Sequence, residues 1–133
     1  MSDAERPQGS DPLTHFDASG AAHMVGITSK PETPRTAVAG AAVKMAAATL
    51  ARIEAGEVGK GDVIGVARLG GIGGAKQAAN LIPLCHPVRV TGVELRFEID
   101  RALPGVHVYA AVAAHDRTGP EMEAMVAAST AAL

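Results

Sequence analysis

Apolar and polar positions change their period several times along this chain, and each change predicts an element. Ala22–Thr28 holds Met24, Val25 and Ile27 between Gly20 and Pro31, which predicts a short strand. Thr33-Pro34 offers a helix cap and a first-turn proline. From Pro34 to Ala55 the chain is alanine-rich, with Val38, Ala42, Met45 and Ile53 at helical spacing. A long helix is predicted there, stopped by Gly56. Asp62 caps a second helical run, VIGVARL, which the Gly70–Gly74 cluster should break. Ala75–Leu81 predicts another short helix, ended by Pro83.

Beyond Pro87 the period drops to two. Val88–Ile99 alternates apolar and polar side chains, with Gly92 as a bulge or turn. Leu103-Pro104-Gly105 is turn chemistry and Val106–His115 reads as a second strand, so the pair predicts an antiparallel hairpin. Thr118 and Glu121 have the spacing of a capping box, and the last helix runs from Glu121 to Leu133. That helix has no glycine, no basic final turn and no polar tail, so the expectation is a chain cut short at its C-terminus. Residues 1–12 are Pro-, Gly-, Ser- and Asp-rich and predict a disordered tail. Residues 13–133 form the expected single α+β domain.

Composition narrows the function. A chain of 133 residues makes one domain with a core of its own. Apolar residues are 47% and aromatics 2%, so that core is built from small aliphatic side chains and its alanine-rich helices must pack closely. A net charge of −2 and a pI near 6.2 argue against a nucleic-acid binder, as does the lack of aromatic stacking platforms. No apolar run approaches the length of a membrane span, and the first residues carry no signal-peptide core. The single cysteine excludes an internal disulfide and a Cys-rich zinc cage, and it suits the cytoplasm.

Candidate chemistry concentrates between Gly70 and Pro87, GGIGGAKQAANLIPLCHP. Its glycines could turn backbone N–H groups toward a ligand, and Lys76 could add positive charge, so the stretch reads as the floor of an anion site. Close helix packing explains the same glycines equally well. The Walker pattern fails, because Gln77 stands where a hydroxyl residue is needed. Cys85 and His86 lie between Pro83 and Pro87; as chain neighbours they are poorly disposed to act as nucleophile and base, and His86 suits hydrogen bonding to a ligand or a structural role. Lys60 sits on a glycine-flanked loop before a helix start, suited to a phosphate or simply solvated. Glu121 fits the capping box, whereas Glu123 has no structural duty and can meet a ligand. His15, His23, His107 and His115 show no metal-ligand spacing.

Five stretches together resemble one family: LTHFDASGAAHMV, KGDV, GGIGGAK, LIPLCHP and RTGPEMEAMVAAS. They are similar to the cyclic pyranopterin monophosphate synthases of molybdenum cofactor biosynthesis, from about Leu13 to Leu133. The resemblance implies a ferredoxin-like α+β protomer in a homohexamer, a trimer of dimers with active sites between subunits. It implies a lyase that converts 3′,8-cyclised dihydroguanosine triphosphate into cyclic pyranopterin monophosphate and releases diphosphate. By position, Leu84, Cys85, His86, Met122 and Glu123 would line the substrate pocket with Lys76. Lys60 would be catalytic, and Lys30, Arg35 and Glu121 would lie at or near the substrate. No resident cofactor is implied, though magnesium could accompany the triphosphate. Neither nucleic acid nor membrane is an implied partner. The chain departs from the family at Pro120, where a small aliphatic is usual. It also lacks the family's C-terminal segment with its catalytic aspartate and partner lysine, to which no residue here corresponds. A non-catalytic nucleotide-binding relative is the alternative.

Overall fold

A computed structural model describes residues 14–59 and 61–133. The tail expected over residues 1–12 and the candidate Lys60 lie outside the described residues. The element order is β1 (Thr33–Lys44), α1 (Ala47–Glu54), α2 (Val63–Ala75), α3 (Ala78–Leu81), β2 (Val90–Asp100), β3 (Gly105–Asp116) and α4 (Glu121–Ala132). The three strands form one antiparallel sheet in the order β1-β3-β2. With helices between β1 and β2 and after β3, this is the β-α-β-β-α run of a ferredoxin-like domain.

The hairpin forms as the alternation predicts, with Val93 opposite Val112 and Leu95 opposite Ala110. The register slips between Val90 and Gly92, which makes Gly92 the bulge. Val106, Val108, Ala110, Val112 and Ala114 of β3 all face the helices and are buried. Against them lie Ala124, Ala127, Ala128 and Ala131 of α4. Val108 and Val112 are among the largest fully enclosed side chains, so the core holds little bulk and depends on close approach.

The long helix expected over Pro34–Ala55 is not formed. Thr33–Lys44 is instead the strand β1, fully paired to β3 from Thr33 opposite Asp116 to Lys44 opposite Gly105. Its residues alternate half-buried and exposed without exception. Alanine stands on both faces, so the two-residue period is nearly invisible in hydropathy. Pairing along a whole central strand outweighs alanine's helix propensity of a few tenths of a kcal/mol per residue. The helical remainder is α1, and Gly56 follows it at φ +70°, a conformation natural for glycine. Thr33-Pro34 therefore caps no helix, and Pro34 sits at the first, exposed end of an edge strand among the described residues.

Two further expectations change. Ala22–Thr28 forms no strand and contributes only an isolated bridge from Ala22 to Phe16. The glycine cluster does not break α2, which runs through to Ala75, leaving α3 only from Ala78. Gly71 and Gly74 are buried where α2 crosses α4 and β2. A Cβ on Gly71 would lie 2.6 Å from Leu95 Cδ2 and 3.1 Å from Ala127 O, and one on Gly74 would collide with Thr130. Thr130 Oγ1 lies 2.8 Å from Val126 O and 3.2 Å from Gly70 O, so its hydroxyl spans the same crossing. Asp62 caps α2 as expected, accepting from Gly65 N at 3.0 Å. Arg68 anchors α2 to β2 by donating to Leu95 O and lying 5.2 Å from the Phe97 ring centroid.

The helices cover one face of the sheet. On the other, Tyr109 lies across Gly40 of β1 and under Arg96 of β2, 4.2 Å from guanidinium carbon to ring centroid. No described element covers this face, and Val38 there is 68% exposed. A second uncovered surface lies on the outside of the helix layer, where Val66, Leu69 and Met125 are exposed.

Candidate active site

The site is built where the C-terminal end of α2, the N-terminal end of α4 and the start of β2 meet. Pro83 and Pro87 restrict the connecting backbone, and Cys85 N donates to Ile82 O at 3.1 Å. This places Cys85 over the first turn of α4, with its Sγ 3.6 Å from Glu123 Oε1 and 3.5 Å from His86 O. Glu123 is only 3% exposed and is the buried charged side chain of the described core. A cavity of about 440 Å³ opens beside it, lined by Glu123, Lys76, Thr91 and apolar residues including Ile72, Val90 and Val93. Lys76 is the C-cap of α2 and reaches this cavity from its rim.

Burial shifts both acidic groups of the contact upward. Desolvation first, and then the negative charge of Glu123, push the Cys85 thiol up to about 11. Desolvation likewise holds the Glu123 carboxyl above the ordinary glutamate range, opposed by its own backbone N–H and by the thiol. Cys85 is thus a protonated donor at neutral pH and no nucleophile. Glu123 is a carboxylate poised to take a proton more readily than an exposed one.

The other sequence candidates distribute unevenly. Leu84 and His86 flank Cys85 and are half-buried, and Met122 is half-buried beside Glu123. Glu121 is exposed. It opens α4, with Pro120 as the cap residue and no side-chain cap bond, so the expected capping box with Thr118 is not made. With the cap at Pro120, Glu121 is the first helical residue, two positions too early for the box. Arg35 points to the helix face of β1 and its Nε donates to Asp116 O at 3.2 Å. Lys30 is exposed in a turn closed by Lys30 N donating to Ile27 O at 3.0 Å. Among the described residues no group of three or more His, Cys, Asp or Glu is placed to hold a metal ion.

A charged cluster beside the site was not singled out in the sequence. Asp116 Oδ2 accepts from Arg89 N at 2.9 Å and Oδ1 from Arg117 N at 2.8 Å. Arg89 pairs with Glu32 at 2.6 Å, and Arg117 Nη1 donates to Thr28 O at 2.9 Å. The backbone N–H groups of Arg117 and Arg89 hold the Asp116 carboxyl below its usual range. Together these bonds pin the Thr28–Lys30 turn and the ends of all three strands at one end of the sheet. They gather Arg35, Arg89 and Arg117 there. The available signal was Arg117 itself, which opens the RTGPEMEA stretch.

Gly61 and Asp62 stand at the end of α2 remote from this cavity. Gly61 and Asp62 precede α2, whereas Lys76 caps its far end. The separation along the helix axis is about 21 Å at 1.5 Å per residue. Gly61 and Asp62 instead border a second cavity of about 360 Å³, walled by Val43, Ile53, Phe97 and Leu133. The glycine cluster forms no anion cradle, because Gly70, Gly71, Gly73 and Gly74 all lie within α2. Its role is the close α2–α4 crossing.

Comparison with known proteins gives the family. The MoaC family model matches residues 24–133. A cyclic pyranopterin monophosphate synthase of Cereibacter sphaeroides (strain ATCC 17029 / ATH 2.4.9) is 59% identical over 121 residues, covering 91% of this chain and 76% of that protein. The enzyme of the same name from Dinoroseobacter shibae is 57% identical over 121 residues, covering 91% of this chain and 77% of the relative. The family match includes the segments that carry Cys85 and Glu123, and this chain belongs to the MoaC family.

Proposed function

We propose that this chain is a cyclic pyranopterin monophosphate synthase of molybdenum cofactor biosynthesis. It is a lyase that converts 3′,8-cyclised dihydroguanosine triphosphate into cyclic pyranopterin monophosphate, releasing diphosphate. The observation that carries this reading is the burial of Glu123 at the wall of one cavity, with Lys76 at its rim and Cys85 Sγ 3.6 Å from Glu123 Oε1. Each comes from a different stretch of sequence shared with the family. Rearranging a purine-derived ring needs groups that take and return protons in a partly dry site, which suits the buried Glu123. Diphosphate loss needs its developing charge neutralised, which suits Lys76 with Arg35, Arg89 and Arg117 nearby. In this reading Leu84, His86 and Met122 frame the substrate, and Lys30 and Glu121 lie at its margin. Magnesium, if used, arrives with the triphosphate. The direct test is diphosphate release from the cyclised substrate by this chain, with the product confirmed by mass; substrate binding without release would favour the non-catalytic nucleotide-binding relative instead.

Lys60 is the proposed catalytic lysine, and its chain neighbours Gly61 and Asp62 lie about 21 Å along α2 from Lys76. In this reading, a site that uses both Lys60 and Glu123 draws them from two copies. The two uncovered surfaces, on the open sheet and on the outer helix layer, supply two distinct self-contacts. Two kinds of contact are what a trimer of dimers requires, so a homohexamer is the proposed assembly. A reducing cytoplasm suits its single cysteine thiol. Light scattering at about six times the chain mass checks the assembly, and a monomer in solution contradicts it.

A further inference from the structure

We propose that Cys85 is a positioning residue for Glu123, its thiol holding the buried carboxylate at the wall of the 440 Å³ cavity and setting how readily it exchanges a proton with substrate. The inference rests on the reading of this cavity as the synthase site. It begins from the geometry: Glu123 is 3% exposed, and Cys85 Sγ, 3.6 Å from Oε1, is its side-chain hydrogen-bond partner among the described residues. The sulfur is held there by a backbone fixed between Pro83 and Pro87, so the contact is built into the connection between α3 and β2. The other titratable side chains around Glu123 are Lys76 from the end of α2 and Glu121 on α4 itself, with His86 next to Cys85 in the chain. β2 brings no charged side chain to the cavity wall.

A thiol is a weak donor. It orients a carboxylate while stabilising the ionised form less than a hydroxyl or ammonium would. The carboxylate therefore keeps an affinity for protons that a stronger partner would remove. Burial keeps the thiol itself protonated, so it remains a donor throughout. The proton that moves is exchanged between Glu123 and substrate, and Cys85 returns unchanged.

The chain has one cysteine, so its S–H stretching band in the infrared belongs to Cys85 alone. The band is expected at lower frequency when Glu123 is ionised and to rise as acid protonates it. In Glu123→Gln the band should not move over the same pH range. A wild-type band that ignores pH, or one that titrates equally in Glu123→Gln, overturns the proposal. Cys85→Ala should lower kcat for the cyclised substrate about tenfold, with KM within about twofold, and move the acidic limb of the pH profile upward by about one pH unit. Cys85→Ala with wild-type kcat and pH profile also overturns it. Should the wild-type chain release no diphosphate while its S–H band still titrates with Glu123, the synthase reading fails and the positioning role stands.

Discussion

The two ends of the α2–α4 pair are built from similar small residues yet offer opposite chemistry. At one end α4 begins and α2 finishes, and a buried carboxylate, backed by a protonated thiol, lines a cavity with Lys76. At the other, α2 begins and α4 finishes, and the cavity wall is largely aliphatic with Phe97, relieved chiefly by Asp62 and Thr130. The difference shows that one protomer concentrates proton-handling groups at a single end. In the proposed assembly, a second copy brings its Gly61–Asp62 end to this one.

The largest expected effects come from removing either half. Lys60→Ala and Glu123→Gln should each lower diphosphate release at least about 100-fold while the assembly keeps its mass. Near-normal turnover in either variant would take that residue out of the mechanism. Next come changes at the crossing that holds both ends in place. Gly74→Ala forces a methyl into Thr130, and Gly71→Ala forces one against Leu95 and Ala127 O. Each should cost about 2 kcal/mol or more and lower Tm by several degrees. Unchanged melting would mean that α2 and α4 do not pack as closely as described.

That crossing also shows what the sequence could and could not reveal. The hairpin, the Gly92 bulge, the Asp62 cap and the last helix were legible because their periods or turn residues are distinctive. β1 was not, because alanines on both faces erase the contrast between inside and outside. The glycine cluster suggested a loop for a ligand equally with a packing surface, and only the position of α4 decides between them. Family resemblance grouped Cys85, His86, Met122 and Glu123, but neither spacing nor hydropathy indicated that Cys85 would touch Glu123, 38 positions later. The Asp116 cluster depends on three strand ends meeting, which no local pattern encodes.

Smaller effects separate Glu123 from the neighbouring Asp116 by pH. Burial holds Glu123 above its ordinary range, so the folded protein binds that proton more tightly than the unfolded chain. Its stabilising contribution is complete below the unfolded glutamate value and disappears as pH rises through the folded one. Glu123→Gln should therefore raise Tm by about 3 °C at pH 8 and by less at pH 4, even as it removes activity. A larger gain at pH 4 would reverse the sign of this argument. Asp116 acts in the opposite direction. Backbone N–H groups of Arg117 and Arg89 hold it low, so its contribution is present above the unfolded aspartate value and lost as pH falls through the folded one. Asp116→Asn should flatten the acid limb of a Tm–pH curve and leave the alkaline limb unchanged.

Co-expression of differently tagged Lys60→Ala and Glu123→Gln chains, followed by purification of oligomers carrying both tags, tests the divided site most directly. If each site draws Lys60 from one copy and Glu123 from another, mixed pairs contain one intact site in two. Randomly mixed oligomers should then recover about a quarter of wild-type diphosphate release. Mixed oligomers no more active than either parent would contradict the account, because Lys60 and Glu123 would then have to act from the same chain.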